Sequence, residues 1–383
     1  SASAPMTELE KYQGIYTHPA DAFYGHSNHG ARAVPLVEQK LKQHGASLVD
    51  VGCGWNEFVK GLRALSVDAT GVDFACPGAD IIAPAGQLPF SDKQFGVLTA
   101  FDMLEHLRPE EVTGVLSEFA RVSHSFVFSI SYQPSRVKWQ GETLHPTVYP
   151  QEWWINKIIA AGGGDLDVIN GYIVGKWSLK ALSLPREAKV VLVGNGPSLL
   201  TIENGAVIDS FDEIVRFNRY RVAGFEKHTG SRTTLWSTFG HGYVPGDEQE
   251  RPSRMIFVHG ERGDPAYVPD ELYRIPRWFS KQAFGRVKTA SRRDPDSLAR
   301  INGATSGLVV ALYFLDVVGV DQITLAGVDH FAKQLSNQHH YYNPKAYGRP
   351  PEMDGDAEAA ILAGYVAVGR VVYLPTGAPL TRR

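Results

Sequence analysis

The sequence has few cysteines and no long uninterrupted apolar run. Cys53 and Cys76 are its only two cysteines in 383 residues, too few for the disulfide framework of a secreted scaffold. The longest apolar stretch, Gly307 to Val320, contains Asp316 and is too short to span a bilayer. The residues before Met6 lack the basic and then apolar form of a signal peptide. We therefore expect a cytoplasmic protein without a transmembrane segment.

An excess of positive charge is also missing. The 38 Lys and Arg residues are outnumbered by 41 Asp and Glu residues, so the net charge is −3. Nucleic-acid binding relies on a clustered basic face, and we expect no nucleic-acid partner. Hydrophobic residues make up 43% of the chain and charged residues 21%, which is typical of a globular protein with a buried core.

Two stretches show an apolar strand that runs into a glycine-rich turn. They are SLVDVGCGWNEF, from Ser47 to Phe58, and AKVVLVGNGPSLL, from Ala188 to Leu200. Alternating helix-length and Val- and Ile-rich segments follow each of them, the pattern of parallel strands covered by helices. Proline and charge separate the two series near Ser183 to Glu187. The fold class is predicted as α/β, with two doubly wound Rossmann-like domains at residues 1–185 and 186–383.

In the first half, the glycine turn places Asp50, Gly52 and Gly54 at a strand end, where glycines let a ligand approach the backbone closely. The next strand ends in Asp73, and a carboxylate there can accept hydrogen bonds from both ribose hydroxyls. The segment DMLEH, from Asp102 to His106, then forms an acidic turn after a third strand. Together these features predict a nucleoside site.

This set of motifs resembles a class I S-adenosylmethionine-dependent methyltransferase over roughly Gly30 to Ser183. The resemblance implies that S-adenosyl-L-methionine is the cofactor. The glycine turn would cradle its methionine portion, Asp73 would hold its ribose, and the turn from Asp102 to His106 would line the cleft. Asn56 stands where the family's third glycine is usual, which asparagine tolerates. Pro84 falls about where an acid near the adenine often stands, which leaves adenine recognition open.

The methyl acceptor has a candidate base. LHPTVYPQEWWINKI, from Leu144 to Ile158, resembles the histidine-containing loop and Trp-rich helix after the fifth strand of many such enzymes. His145 could take a hydroxyl proton, or it could simply pack in a loop. In the early segment from Phe23 to Arg32, His26 and His29 suit a lid that contacts substrate.

The second glycine turn, GNGPS, carries no P-loop signature. Its Asn195 is a neutral donor and acceptor that suits a nucleotide phosphate or ribose. The strand EIVRFN delivers Asn218 to the same strand-end face, where ligands of parallel sheets bind. The residues alone therefore predict a nucleotide site.

Several ordered stretches resemble the sialyltransferase family over most of Lys189 to Leu374. VVLVGNGPSLL, IDSFDEIVRFNRY and GFEKHTGSRTT together resemble its long motif, and Asn302 to Phe331 resembles its short motif. HYYN, from His340 to Asn343, resembles its H-Y-Y-acidic motif, with asparagine replacing the acid. The resemblance implies a sialyltransferase-like GT-A-variant fold and a CMP-activated sugar donor, CMP-sialic acid or CMP-Kdo. No metal is required by this chemistry, and we expect no metal site.

The same resemblance assigns nucleotide contacts. Asn195 and Asn218 would contact the phosphate and ribose of CMP. Thr305, Ser306 and Gly307 would meet the cytidine end or the sugar carboxylate.

The last motif departs from the family. His340, with Tyr341 or Tyr342 beside it, would steady the departing phosphate, because an imidazolium and a phenol stabilise an anionic leaving group. The family then ends with H-x-x-x-x-E, whose histidine is the general base. Here the frame that ends at Glu358 begins at Met353, and a thioether cannot take a proton.

Another group would therefore have to replace that base. His339 and Asp354 are the preferred candidates, and Asp329, His330 and Asp356 are further ones. Asp356 or Glu358 could instead cap the following helix, a common role for acids at that place.

The leading interpretation is a bifunctional enzyme of surface-polysaccharide biosynthesis. It would join an O-methyltransferase to a CMP-sugar-dependent glycosyltransferase that acts on a glycan or sugar acceptor. In a second interpretation, prompted by Met353, the C-terminal domain hydrolyses the CMP-sugar. In a third, it only binds glycan or nucleotide, which leaves methyl transfer as the sole activity. The sequence does not indicate an oligomeric state.

Overall fold

The computed structural model describes residues 7–18, 24–239, 251–258, 260–261, 263–331, 340–341 and 352–376. The chain divides into two compact units, Ser1–Leu179 and Lys180–Arg383. The predicted boundary after residue 185 falls just inside the second of them. That the two units are separate functional domains stays a proposal.

The first unit is built on one seven-stranded sheet and a small ribbon. Its strands are β1 Ser47–Val51, β2 Asp68–Asp73, β3 Ile81–Ile82, β4 Phe95–Phe101, β5 Ser123–Ser129, β6 Lys138–Trp139, β7 Glu142–Thr143, β8 Gly163–Ile169 and β9 Tyr172–Trp177. The sheet order is β3-β2-β1-β4-β5-β9-β8. Strands β1 to β5 pair in parallel, and the β8–β9 hairpin joins antiparallel to β5. β6 and β7 form the ribbon.

Helices flank this sheet, and their sequences explain where they begin and what they bury. They are α1 Glu8–Thr17, α2 Val34–His44, α3 Glu57–Ala64, α4 Pro109–Val122 and α5 Gln151–Ala160. In α4, proline stands in the first turn, where it costs no hydrogen bond. Its Val112, Val115, Leu116 and Phe119 are buried, because this spacing puts them on one face of the helix. Strand β4 is buried along its whole length, as expected for a parallel strand covered on both sides.

The second unit is a sheet in which every pairing between described strands is parallel. Its strands are β10 Val190–Val193, β11 Glu213–Phe217, β12 Leu235–Thr238, β13 Arg254–Phe257, β14 Glu271–Arg274, β15 Ile323–Ala326 and β16 Val371–Tyr373. The order is β14-β13-β12-β11-β10-β15-β16. Because β10 lies between β11 and the much later β15, the strand order reverses at β10. Ligands of open α/β sheets bind at such a switch point.

The second unit also contains helices. They are α6 Gly205–Asp209, α7 Glu226–Thr229, α8 Arg277–Ala290, α9 Pro295–Ala299, α10 Ser306–Leu312 and α11 Gly355–Ala367. Of these, α10 and α11 contact strands of this sheet. A π-helical segment, Tyr313–Val318, continues α10 and ends at Gly319 with φ 79°. In the part of the chain that the structure describes, no helix has the length and apolar character needed to cross a membrane.

Candidate active sites of the two units

The glycine turn after β1 requires small residues. Gly52 and Gly54 have φ values of 78° and 52°, a region that side chains rarely adopt. A Cβ on Gly52 would lie 2.3 Å from Met103 Cγ, and one on Gly54 would lie 2.6 Å from the Gly25 carbonyl oxygen. Asn56 adopts φ 68° before α3, the left-handed conformation that asparagine tolerates. The backbone conformation and the close neighbours of the turn therefore require glycine at these two positions.

Asp73 ties this turn to the end of β2. Its Oδ1 accepts from the backbone N–H groups of Ala75 and Cys76, both at 2.9 Å. Its Oδ2 accepts from the Gly54 N–H at 3.2 Å and from the Tyr16 hydroxyl at 3.4 Å. The carboxylate is only 4% exposed. Tyr16 comes from α1 and was not singled out in the sequence.

Asp50 is buried behind the same turn. It accepts a 2.6 Å hydrogen bond from the Thr99 hydroxyl. Burial raises the pKa of Asp50 to about 7, against the lowering effect of that hydrogen bond. A cationic ligand near this carboxyl would favour its ionised form.

A cavity of about 600 Å³ lies at this edge of the first sheet, a volume typical of small-molecule sites. Its walls include the predicted residues Asp50, Gly52, Gly54, Asp102 and His145. From the predicted lid, His29 also lines it. His26 instead stacks on Trp55, with ring centroids 5.0 Å apart. A cavity with acidic walls and a backbone turn fits a cationic nucleoside, and these residues fit S-adenosylmethionine.

Asp102 and His29 form an ion pair in this cavity. Asp102 follows β4 with φ 48°, and its carboxylate lies 2.9 Å from His29 Nδ1. The hydrogen bond that His29 donates to Asp102 raises the pKa of His29 above its ordinary value. Burial acts to raise the pKa of Asp102, but the hydrogen bonds from His29 and Ser129 and the charge of the His29 ring together outweigh it, and the pKa is lowered. Both groups therefore favour their charged forms.

Glu105, His106 and His145 meet on the cavity wall. Their ligand atoms all lie within 4.8 Å of one another. Glu105 is fully buried, and burial raises its pKa to about 8. Burial likewise lowers the pKa of His106 to about 4, so its ring is neutral. The sequence predicted that this turn lines the cleft and offered His145 as a candidate base, but it did not predict that the three groups meet.

In the second unit, the two predicted asparagines come together at the switch point. Asn195 follows β10 and donates from Nδ2 to the Phe217 carbonyl at 3.0 Å. Phe217 immediately precedes Asn218, which has φ 50°. Asn195 Oδ1 is buried and has no hydrogen-bond partner among the described residues. An unpaired buried acceptor is costly, and it suits a ligand that brings its own donor.

Tyr341 anchors the third motif beside this group. Its backbone N–H donates to the Asn195 carbonyl at 2.9 Å, and its hydroxyl donates to the Arg221 carbonyl. Its ring packs on Phe225, 5.0 Å between centroids, and the residue is 7% exposed. Tyr341 thus holds the neighbouring His340 next to the Asn195 turn. His339 and Tyr342 lie outside the described residues.

Two of the further candidate bases follow β15. Asp329 accepts from the Ser198 N–H at 3.0 Å and from the Ser198 hydroxyl. A Cβ on Gly196 would lie 2.3 Å from this carboxylate, so Asp329 packs directly against the glycine turn. His330 Nε2 lies 2.6 Å from the Tyr373 hydroxyl, and burial lowers the pKa of His330.

Asp354 has a structural environment that argues against its predicted role as a base. It is the N-cap of α11, accepts from the Ala357 N–H at 3.1 Å and is 3% exposed. Its other oxygen accepts from the Ser291 hydroxyl at 2.6 Å and pairs with Arg293 at 3.2 Å. An ionised carboxylate held by a guanidinium is a weak proton acceptor. The cap therefore falls on Asp354, whereas the sequence analysis had considered Asp356 or Glu358 for it.

Glu358 reaches from α11 to the short motif. Its carboxylate accepts from the Thr305 N–H at 2.8 Å and from the Thr305 hydroxyl at 2.6 Å. Thr305 in turn caps α10 by accepting from the Leu308 N–H at 3.2 Å. The last residue of the H-x-x-x-x-E frame thus positions the turn that includes Ser306 and Gly307.

The Glu358 contact predicts a pH-dependent stability. Burial raises the pKa of Glu358 from 4.5 to about 7, despite the opposing bonds from Thr305. Because the folded pKa is the higher one, the stabilisation is complete below about pH 4.5 and is lost as the pH rises through about 7. We expect E358Q to gain about 1–3 kcal/mol in unfolding free energy relative to wild type between about pH 5 and about pH 8. Denaturant unfolding of both proteins at the two pH values measures this difference in unfolding free energy.

The matched control for this experiment is D356N, which changes an exposed acid of the same helix. It should leave the difference between the two pH values unchanged. An E358Q protein with the wild-type pH profile would contradict the assignment of this titration to Glu358.

The two units match different families. Residues 49–125 match the family model of a methyltransferase domain. Residues 183–302 match the model of glycosyltransferase family 29, the sialyltransferases. The predicted succession of a methyltransferase region and a sialyltransferase-like region is therefore confirmed, together with its α/β fold class. Both families are transferases.

Individual relatives cover only part of the chain. The human CMP-N-acetylneuraminate-β-1,4-galactoside α-2,3-sialyltransferase is 32% identical over 123 residues, 32% of this chain and 33% of the relative. The rat enzyme of the same name is 27% identical over 40% of this chain and 48% of its own. The chain thus spans at most about half of these curated relatives.

Solved structures resemble each unit. A mammalian sialyltransferase has 20% identity and a TM-score of 0.37, covering 50% of this chain and 69% of its own. The sugar N-methyltransferase KedS8 from Streptoalloteichus has 15% identity and a TM-score of 0.35, covering 46% of this chain and 97% of its own.

Proposed function

We propose that the protein is a bifunctional enzyme of surface-glycan biosynthesis that acts in the cytoplasm. The first unit would methylate a hydroxyl group with S-adenosylmethionine as donor. The second would transfer sialic acid or a Kdo-like sugar from its CMP-activated form to a glycan or sugar acceptor. The observation that carries the proposal is the pair of sites at the strand ends, each with the acceptor atoms that its nucleoside requires.

In the first unit, the cavity binds and orients two molecules. S-adenosylmethionine supplies an electrophilic methyl group when bound. Asp73 and the glycine turn would hold its ribose and methionine portions. The acceptor hydroxyl loses its proton as its oxygen bonds to the methyl carbon and the carbon–sulfur bond breaks. The wall formed by Glu105, His106 and His145 would take up that proton, since these groups border the same cavity.

In the second unit, the chemistry requires stabilisation of departing CMP. Asn195 and Asn218 would contact its ribose and phosphate, and His340 would meet the phosphate as negative charge develops. Thr305, held by Glu358, would orient the cytidine end or the sugar carboxylate. Because Asp329 and Asp354 are engaged by other groups, we propose His339 as the residue that takes the acceptor proton.

The test is a turnover screen of the full chain with CMP-sialic acid and CMP-Kdo and a panel of glycans. Release of CMP and incorporation of radiolabelled methyl groups are followed in parallel. The proposal predicts CMP release that depends on an acceptor, and methylation that depends on S-adenosylmethionine. Failure of every CMP-sugar and of CMP to bind would overturn the assignment of the second unit.

Met353 favours hydrolysis of the CMP-sugar as a second candidate function. A thioether stands in place of the family's base, and the Met353 carbonyl accepts a hydrogen bond from Arg293. Water can attack an activated sugar when no acceptor hydroxyl is deprotonated. Release of CMP at the same rate with and without glycans would favour hydrolysis over transfer.

A further inference from the structure

Glu105 carries a buried oxygen atom that no group in the described part of the chain satisfies. Its side chain is 0% exposed, and Oε1 accepts from the Ser131 N–H at 3.1 Å. Its Oε2 has no hydrogen-bond partner within the described ranges. A buried carboxylate oxygen without a partner costs several times the net gain of an ordinary hydrogen bond. The residue lines the cavity, so a group bound there can satisfy it.

Two histidines beside Glu105 each keep one ring nitrogen available. His145 Nδ1 lies 2.8 Å from the Gln133 carbonyl, which can only accept, so Nδ1 donates to it and Nε2 is the nitrogen that the neutral ring offers to a ligand. His106 Nδ1 lies 2.6 Å from the Tyr12 hydroxyl, and that hydroxyl also lies 3.4 Å from the Leu144 carbonyl. With Nδ1 engaged by Tyr12, Nε2 is the ring nitrogen of His106 that we assign to a ligand. A second ring nitrogen fixed by a hydrogen bond is typical of histidines that bind metals.

We propose that Glu105, His106 and His145 bind one divalent first-row transition cation in the cavity of the first unit. Two imidazoles and a carboxylate suit Zn²⁺, Co²⁺, Mn²⁺ or Fe²⁺. Ligand atoms within 4.8 Å of one another would be drawn together by metal–ligand bonds of about 2.0–2.2 Å. Three protein ligands on a cavity wall leave open positions, as in catalytic sites. This proposed site departs from the expectation that the chain has no metal site.

The cation would also specify how the first unit handles the acceptor proton. It would occupy the His145 lone pair, so His145 would be a ligand rather than a free base. A hydroxyl of the acceptor in the same cavity would have its pKa lowered by the nearby positive charge. This role rests on the proposed methyl transfer, whereas binding of the cation does not.

The test uses the full chain after treatment with a chelator, without S-adenosylmethionine or acceptor. We expect one Co²⁺ per chain by calorimetry, visible absorption bands from imidazole ligation, and displacement by Zn²⁺. E105Q keeps the side-chain shape, and it and H145A should each weaken binding at least about 10- to 100-fold, the loss that follows even when an outer-shell partner of a ligand is removed. H124A removes an exposed histidine of the same unit and should bind as wild type.

Absence of stoichiometric uptake would overturn the site, as would wild-type affinity in both E105Q and H145A. Unfolding temperatures of the cation-free variants show whether each is folded. If H145A does not fold, E105Q decides the question. Loss of methyl transfer with intact Co²⁺ binding would count against the proposed function and not against the site.

Discussion

D73N should lower the affinity of the first unit for S-adenosylhomocysteine, the stable product of methyl transfer, by roughly 100-fold. The amide keeps one oxygen for the N–H groups of Ala75 and Cys76. It then presents an NH₂ group where Oδ2 now faces the Gly54 N–H and the Tyr16 hydroxyl. The new NH₂ group would face the Gly54 N–H and the Tyr16 hydroxyl, which are themselves donors. The ribose hydroxyls of the ligand would also lose the charged acceptor that we assign to them. Titration calorimetry measures the change.

The control for this substitution is D68N at the exposed beginning of the same strand. It makes the same chemical change at the other end of β2, away from the glycine turn, so it should leave the affinity for S-adenosylhomocysteine unchanged. A D73N protein that binds the product within about threefold of wild type would show that the ribose is held elsewhere. Equal unfolding temperatures of the two variants would exclude loss of the fold as the cause.

N195A should have the largest effect on the second unit, lowering the affinity for CMP by roughly 10- to 100-fold. The substitution removes the buried Oδ1 that has no partner within the described chain and that we assign to the nucleotide. It also removes the Nδ2 bond to the Phe217 carbonyl. Calorimetry with CMP measures binding, and CMP release from CMP-sialic acid measures turnover.

N204A provides the matched control, because Asn204 Nδ2 also donates to a single backbone carbonyl, that of Pro375, at 2.9 Å. Both variants lose one such bond, so their unfolding free energies should fall by a similar amount, about 1 kcal/mol. Only N195A should lose affinity for CMP. If N204A weakens CMP binding equally, the effect of N195A comes from a general loss of stability of the second unit and not from the loss of a ligand contact.

Much of the fold could be predicted because its signals are local. The runs SLVDV and VVLV are apolar on both faces and end in glycine, so each predicts a buried parallel strand with a turn at its carboxyl end. Parallel strands need helical crossovers, which fixed the α/β class. The parallel arrangement also predicted that Asp73 lies beside the first glycine turn and Asn218 beside the second, because the carboxyl ends of neighbouring parallel strands share one sheet edge.

The roles of the acids near the end of the chain could not be predicted in the same way. Asp354 and Glu358 look alike in sequence, as acids flanking a helix start. Arg293 and Ser291 engage the first, and Thr305, 53 residues away, engages the second. The packing of α11 decides which acid caps the helix and which one binds Thr305. No local sequence pattern encodes that packing.

By itself, the sequence determined the two α/β regions, their order and the strand ends at which nucleosides are expected, because hydrophobic period and glycine turns are short-range properties of the chain. Only the tertiary structure decided which polar groups meet. Tyr16 reaches Asp73 and His145 reaches Glu105 and His106 from distant segments. The physical reason is that such contacts depend on the packing of whole elements, which places side chains together without leaving a repeating pattern along the chain.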